Sequence, residues 1–370
     1  MRARRAMRAA VQFEVPGNLR IVDVEVSDPG PREVLIQVAA SGLCHTDLHF
    51  LEGKYHTDLP CVLGHEAAGI VVAVGSDVSY LAPGDHVITC LSSFCGTCTY
   101  CVTGRSYLCN RVGLERAATD KPRLAYDGKK VNQFARLGAF AEQMLVHENS
   151  TVQVRKEMPL DRAALVGCAV TTGVGAVVNT ARIPMGATVA IIGCGGVGLN
   201  AVQGAALAGA GKVIAIDKVA WKLDLARQYG ATDVVDASQA DTVEAVFGIV
   251  PGGVDFAFEA IGLKKAAEQA FQMLAKGGTA VVVGMIPEGQ MIEINGELLM
   301  GDGKSLLGSN MGSNRFRVDI PKYVDAYLAG NLKLDELVSK RITLDEVNEG
   351  YAALDRGEVA RSVIIFPDVA

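Results

Sequence analysis

The chain predicts an α/β fold in two parts: a mostly-β domain and a doubly wound parallel-sheet domain. Three features carry that expectation: a change of texture near Thr188, a glycine-rich turn just after it, and strand-like segments ahead of it. Leu19–Val26 (LRIVDVEV) and Glu33–Gly42 (EVLIQVAASG) alternate as half-buried antiparallel strands do. Gly69–Gly75 and Pro83–Cys90 continue the pattern, turn then strand. Beyond Thr188, TVAIIG, VGLNAVQGAALAGA and KVIAID read as strand, helix and strand, followed by buried-type strands in Val254–Gly262 and Thr279–Met285. Strands alternating with helices indicate a parallel sheet covered on both faces. After Met311 come an amphipathic helix (Pro321–Leu328) and a strand, RSVIIF, that need not join this sheet. The expected division is residues 1–169 with 311–370 in one domain and 170–310 in the other.

At 370 residues the chain can support two domains. Its 49 % hydrophobic and 21 % charged residues are an ordinary globular balance. A net charge of −6 argues against a nucleic-acid partner, which needs a basic face. No 18-residue stretch is uniformly apolar; Ala187–Leu207 comes nearest, but its glycines, Asn200 and Gln203 favour strand–turn–helix, so no membrane span is expected. Nine cysteines, odd in number and tightly spaced, read as metal binding in a reducing compartment, the cytoplasm. The basic start MRARRAMR has no apolar signal core behind it. It reads as a solvated tail or as preceding a start at Met7, with a transit peptide as the alternative.

Gly193-Cys-Gly195-Gly196-Val197-Gly198 matches G-x-G-x-x-G, directly after an apolar strand and at the start of a helix. Asp217 ends the next strand, nineteen positions beyond Gly198. That context makes the motif a dinucleotide fingerprint. The first glycine permits the tight turn, the second lets backbone approach the pyrophosphate, and the third lets helix and strand pack closely. Asp217 suits the adenosine ribose hydroxyls and would repel a 2′-phosphate, which favours NAD over NADP.

Cys95, Cys98, Cys101 and Cys109 lie within fifteen residues. Four thiolates close a tetrahedral Zn²⁺, which suits a structural site. Neither CxxC is followed by His, which excludes haem attachment, and no thioredoxin-like context surrounds them. An iron–sulfur cluster uses the same number of cysteines, so the spacing specifies a metal more sharply than zinc. A dispersed set, Cys44, His65 with Glu66, and Cys168, supplies three ligands and an open fourth position, as catalytic zinc requires.

Gly64-His65-Glu66-Ala-Ala-Gly69, GLCHTDLH (Gly42–His49), LVGCAVTTG (Leu165–Gly173) and the cysteine lobe together resemble the zinc-containing medium-chain alcohol dehydrogenases, in order and from about Met7 to Phe366. The resemblance implies a GroES-like catalytic domain, a Rossmann cofactor domain, two Zn²⁺ and NAD. It implies that Cys44, His65 and Cys168 bind the catalytic zinc, with Glu66 behind as an occasional fifth ligand. Asp47 orients His65, Thr46 takes the alcohol proton, and His49 ends the relay. Thr172 and Val197 press the nicotinamide into place, and Val283 and Met285 join the cofactor set. Lys222 accompanies Asp217 on the ribose. His45 and Arg361 fall at pyrophosphate positions, with His45 replacing a common Arg.

The same resemblance assigns Tyr55, Leu91, Phe140 and Met285 to an apolar substrate pocket suited to primary or secondary alcohols and aldehydes. Leu91 stands where an aromatic is common, which makes room for aryl or branched alcohols. Glutathione-dependent formaldehyde dehydrogenases carry an acidic residue where this chain has Tyr55 and an Arg where it has Gly113; both departures argue against that activity. Two other readings stay open: a nicotinoprotein that keeps its NAD and passes electrons to another acceptor, and a non-catalytic NAD-binding protein. The family forms homodimers or homotetramers through the cofactor domain.

Overall fold

The computed structural model describes residues 5–367, which divide into two compact units. The first comprises residues 5–168, Arg315–Gly330 and residues 334–367; the second comprises Ala169–Asn314 with Asn331–Lys333.

In the first unit a closed barrel is formed by Arg5–Gln12, Arg20–Val26, Leu124–Tyr126, Lys129–Gln133 and Cys61–Val62. Arg5–Gln12 pairs antiparallel with Arg20–Val26, placing Met7 opposite Val24. A solvated tail is therefore ruled out from Arg5 onward, and the remainder of that expectation falls on residues 1–4, outside the described residues. Beside the barrel, a seven-stranded sheet runs in the order Thr151–Gln153, His86–Thr89, Glu66–Val74, Glu33–Gly42, Arg361–Ile365, Val338–Ile342, with Gln143–His147 also paired to Glu33–Gly42. The RSVIIF segment thus lies antiparallel to Glu33–Gly42, Val363 opposite Gly42.

Glu33–Gly42 departs from the half-buried strand its alternation predicted, because it is covered on both faces. Val34, Ile36 and Val38 join Leu43, Phe140 and Leu354 in one core, while Leu35 packs with Met7, Val11, Val24 and Leu145 in the barrel core. Apolar residues of both parities are what a strand between two cores needs. The amphipathic helix is longer than expected, Phe316–Leu328, with Pro321 inside it. Asp319 extends it toward the N-terminus by accepting the Arg315 N–H at 2.8 Å.

The second unit is built on a six-stranded, all-parallel sheet in the order Asp233–Asp236, Lys212–Asp217, Thr188–Ile192, Val254–Glu259, Leu274–Val282, Ser305–Gly308. By sequence this is 3-2-1-4-5-6, the doubly wound order that opens a ligand crevice at the carboxyl ends of the strands. The two edge strands are four residues each and escaped the sequence reading, which relies on longer apolar runs. Ala190, Ile192, Ile214, Ile216, Ala257 and Phe271 form the core beneath. Lys333 joins this unit because Gln203 brackets its backbone, accepting its N–H at 2.7 Å and donating to its carbonyl at 2.9 Å. Residues 311–314 join it because Gly312 packs against the backbone of Thr171 and Gly175.

The helical run Leu160–Ala181, rather than Ala187–Leu207, is the segment among the described residues long and apolar enough to cross a membrane; 83 % of its apolar window is buried in the protein.

Candidate metal centres and dinucleotide site

The dispersed ligands meet in the first unit. Cys44 precedes the short helix His45–Leu51, His65 precedes the strand Glu66–Val74, and Cys168 sits in a π-helical turn, Val166–Val170. Such turns insert one residue into a helix and re-aim a side chain, often at functional sites. Gly167 makes this placement possible, since a Cβ there would lie 2.3 Å from the Thr89 carbonyl oxygen. Gly42 has a similar role: its Cβ would lie within 2.4 Å of a Glu66 carboxylate oxygen. One donor atom from each of Cys44, His65, Glu66 and Cys168 lies within 4.8 Å of the others, and all four side chains are buried.

Asp47 fixes His65 from behind. Its Oδ1 accepts the Gly64 N–H at 2.9 Å, and its Oδ2 lies 3.0 Å from His65 Nδ1. This leaves Nε2 as the metal-facing nitrogen, and that atom is buried with no protein hydrogen-bond partner. A buried imidazole nitrogen beside two thiols is a donor set that fits a zinc-like ion. The electrostatics agree. Cys44 titrates well below an ordinary thiol, chiefly through its hydrogen bond with Cys168, against burial and aided by Arg361 and His65. Cys168 is pushed correspondingly up. Burial raises Glu66 to about 8 despite the Arg361 guanidinium 3.6 Å away.

Arg361 is itself buried, with Nη2 at 3.9 Å from Cys44 Sγ. It therefore backs the ligand set. His45 by contrast is exposed on the helix surface. On that same helix Asp47 and Leu51 point inward while Thr46 and His49, three positions apart, share a half-exposed face. The His49 ring lies 6.1 Å from Tyr55, Tyr55 5.6 Å from Phe50, Phe50 4.6 Å from Phe134, and Phe134 5.6 Å edge-on to His65. An arc of rings thus joins the expected relay residue to a ligand.

Phe140, expected in the substrate pocket, is fully buried, seated against the bare Cα of Gly64 and edge-on to Tyr351 at 6.1 Å, within the large core cluster. The aromatic beside His65 is Phe134, which sequence position alone did not single out. Leu91 and Tyr55 are half-buried in the same unit, Leu91 against the core that holds Phe140.

The four-cysteine lobe matches a tetrahedral ion closely. Its Sγ atoms lie 3.6 Å (Cys98–Cys101), 3.8 Å (Cys98–Cys109) and 3.9 Å (Cys95–Cys101) apart. Zn–S bonds of about 2.3 Å imply tetrahedral edges of roughly 3.8 Å. Backbone N–H groups of Thr97 and Cys98 donate to Cys95, and those of Cys95 and Arg111 to Cys109. Hydrogen bonds from the Thr97 hydroxyl and from these amides pull Cys95 down to about 6.

In the second unit Gly193 adopts φ +97° and Gly195 caps the helix Gly196–Leu207. A Cβ at Gly198 would fall 1.6 Å from the Gly193 carbonyl oxygen, so close packing there requires glycine. A Cβ at Gly195 would meet nothing within 4 Å, which leaves open space over the helix N-terminus for a pyrophosphate. Asp217 braces this turn, accepting the Cys194 N–H at 2.7 Å. Lys222 and Val197 are half-buried nearby in sequence, and Lys222 Nζ lies 5.7 Å over the Trp221 ring. Val283 and Met285 are half-buried just past the strand Leu274–Val282. The Thr172 hydroxyl donates to Met311 Sδ at 3.3 Å. Sequence reasoning missed Met311, which sits in a turn where Met311, Gly312 and Ser313 all have positive φ. Non-glycine residues at positive φ carry a backbone cost, and nothing in the local sequence announces it.

Fold and donor sets define a two-zinc dehydrogenase with a doubly wound cofactor unit. Residues 30–156 match an alcohol dehydrogenase GroES-like domain and residues 196–327 a zinc-binding dehydrogenase domain. The chain is 38 % identical to the class-3 alcohol dehydrogenase of Pisum sativum over 98 % of each chain. It is 38 % identical to an NDMA-dependent alcohol dehydrogenase of Amycolatopsis methanolica, covering 97 % of this chain and 98 % of that one. The crystal structure of benzyl alcohol dehydrogenase from Acinetobacter calcoaceticus is 34 % identical, with a TM-score of 0.91 and 98 % and 99 % of the two chains covered. The chain belongs to the zinc-containing medium-chain alcohol dehydrogenase family, and it is an NAD-dependent enzyme acting on small-molecule alcohols or aldehydes.

Replacing Asp47 by Asn is expected to lower zinc affinity at the dispersed set by about 10–100-fold. The cysteine lobe should keep its ion. Competition with a chromogenic chelator reads both sites, and unchanged affinity would remove Asp47 from metal support.

Proposed function

We propose that this enzyme oxidises aryl and other bulky primary or secondary alcohols reversibly, with Cys44, His65 and Cys168 holding the catalytic zinc and Glu66 in reserve behind them. The observation that carries this reading is the buried ligand set with an arc of aromatic rings, Phe134, Phe50 and Tyr55, running from it to His49. When bound, zinc supplies Lewis acidity of the size seen for water, whose pKa it lowers to about 7 at such sites, a stabilisation on the order of 12 kcal/mol. NAD, when bound, supplies the hydride acceptor. The chain's own residues do the rest. Asp47 holds His65 in its ligating orientation. Thr46 accepts the alcohol proton and His49 passes it to solvent, a contribution of typically ~10²–10⁴-fold. Asp217, Lys222 and the glycines Gly193, Gly195, Gly196 and Gly198 seat the adenosine and pyrophosphate, with Val197, Thr172, Val283 and Met285 toward the nicotinamide. Arg361, being buried behind Cys44, is proposed to balance the charge of the thiolates and Glu66 in place of the pyrophosphate role expected from its position.

The benzyl alcohol activity named for a structural relative supports the aryl reading, as does Leu91 standing where the resemblance leads one to expect an aromatic. The class-3 names of other relatives are set against Tyr55 and Gly113, which lack the charged groups a glutathione adduct needs. The NDMA dependence named for another relative favours a second reading, an enzyme that retains its NAD and hands electrons to a different acceptor. NAD carried through desalting would identify it.

The second unit ends in an exposed edge strand, Ser305–Gly308, with Leu307 and Met300 exposed near it. Unpaired edges are templates for pairing, so a homodimer through this edge, alone or within a tetramer, is proposed. Sedimentation equilibrium returning a monomer at micromolar concentration would reject it. All nine cysteines are unpaired, consistent with the cytoplasm.

On an alcohol panel run with NAD and NADP separately, benzyl and longer alcohols with NAD should give the highest kcat/KM; ethanol outperforming them would sink the aryl assignment. Burial, reinforced by the Lys54 charge against Glu52 and Cys44, lowers the His49 pKa below 6.5. A lowered pKa leaves the imidazole neutral, and able to accept a proton, into mildly acidic solution. His49→Gln should therefore slow turnover most below pH about 7 and respond to added buffer bases. A pH profile identical to the parent's would exclude His49 from the relay.

A further inference from the structure

Glu259 is a fully buried carboxylate that none of the steps above uses. It ends the strand Val254–Glu259, which neighbours the central strand Thr188–Ile192. Its Oε1 accepts the backbone N–H groups of Ile261 at 2.8 Å, Gly262 at 2.6 Å and Leu263 at 3.4 Å. Its main-chain carbonyl accepts those of Val283 at 2.9 Å and Gly284 at 3.0 Å. One residue therefore satisfies amides of two loops that would otherwise be orphaned at the carboxyl edge of the sheet.

The two loops interlock through bare backbone. Gly262 has φ +92°, and a Cβ there would lie 2.3 Å from the Met285 carbonyl oxygen. A Cβ at Gly284 would lie 2.1 Å from Gly262 N and 2.7 Å from Glu259 Oε2. The first loop also abuts the glycine turn. Ala260 N–H donates to the Ile192 carbonyl at 2.9 Å, and a Cβ at Gly193 would meet Ile261 Cγ1 at 2.4 Å. A continuous run of contacts, backbone for the most part but including Ile261 Cγ1 and the Glu259 carboxylate, thus links Gly193 to Met285 with Glu259 at its hub.

Sheet order says what this linkage spans. Asp217 lies one strand to one side of Thr188–Ile192, whereas Val283–Met285 follow a strand two places to the other side. At about 4.8 Å per strand, Val283–Met285 lie roughly 10 Å across the sheet from the glycine turn. A dinucleotide with its adenosine at Asp217 and its pyrophosphate at Gly195 extends its nicotinamide half in that direction.

We propose that Glu259 is a positioning residue for the nicotinamide half of the cofactor, fixing the Val283–Met285 backbone at a set distance from the pyrophosphate turn. The inference rests on the NAD reading above. Burying a carboxylate is costly, and burial raises its pKa against the opposing backbone hydrogen bonds. The helix Lys264–Gln272 that follows has no side-chain cap of its own, so Glu259 also steadies its start. That second role affects the whole loop and would not distinguish one half of the cofactor from the other.

Titrating NADH and ADP-ribose into the full-length protein by calorimetry separates the two, because ADP-ribose lacks the nicotinamide. Glu259→Ala should weaken NADH by about 10–100-fold, the scale of orphaning buried amides, with ADP-ribose within about threefold of the parent. Glu259→Asp, whose carboxylate is drawn back by one methylene, should show the same selective loss in smaller measure and serves if the alanine variant does not fold. Glu259→Gln keeps an acceptor oxygen and should restore NADH binding. Parent-like NADH affinity in the alanine and aspartate variants, or a parallel loss of ADP-ribose, would overturn the proposal. A parent protein that binds neither ligand would overturn the cofactor reading itself and this inference with it.

Discussion

The buried pair of Asp47 and His65 is the contact on which the first unit's chemistry depends. A carboxylate removed from water is tolerated only where its oxygens find donors. Here one oxygen takes the Gly64 N–H and the other faces the imidazole. That arrangement fixes which ring nitrogen is left for a metal, and it ties the helix that follows Cys44 and carries Thr46 and His49 to the strand carrying Glu66. The cost of burial is spread over groups that the function needs in place anyway. Arg361 extends the same economy on the far side, where its guanidinium faces Glu66 and Cys44.

Glycines set the distances in both units. Gly42 leaves room for the Glu66 carboxylate, Gly64 for the Phe140 ring, and Gly167 for the Thr89 carbonyl. In the second unit Gly198, Gly262 and Gly284 let backbone segments touch directly. Only the first of these three belongs to the recognised fingerprint. The others hold the loops that follow the fourth and fifth strands, where a chemist would look for the far end of the cofactor.

The metal-binding cysteines, the glycine fingerprint and Asp217 were readable because their chemistry depends on short-range spacing. Four sulfurs within fifteen residues have few ways to avoid one another, and a strand–turn–helix places its own amides. The dispersed ligands required the family resemblance, since nothing local joins Cys44 to Cys168. Phe140 and Phe134 show the limit of such transfer: both are aromatic, six positions apart, and only packing tells the core ring from the one that meets His65. Arg361 was expected at the pyrophosphate; that its guanidinium faces Cys44 and Glu66 is a contact across more than 290 residues that no local spacing announces. The sixth parallel strand and the full length of Phe316–Leu328 were likewise invisible, because four-residue strands and helix starts made by a side-chain bond leave little periodic signal.

Sequence alone determined the class of fold, the residues of the two candidate metal sets and the acidic residue at the end of the second parallel strand, because those properties reside in residue type and local spacing. Tertiary structure decided which aromatic ring borders the ligands, which nitrogen of His65 is presented, where Arg361 directs its charge, and how Glu259 joins two loops. Those outcomes depend on contacts between segments distant along the chain, whose geometry is set by close packing and by the need to satisfy every buried polar group.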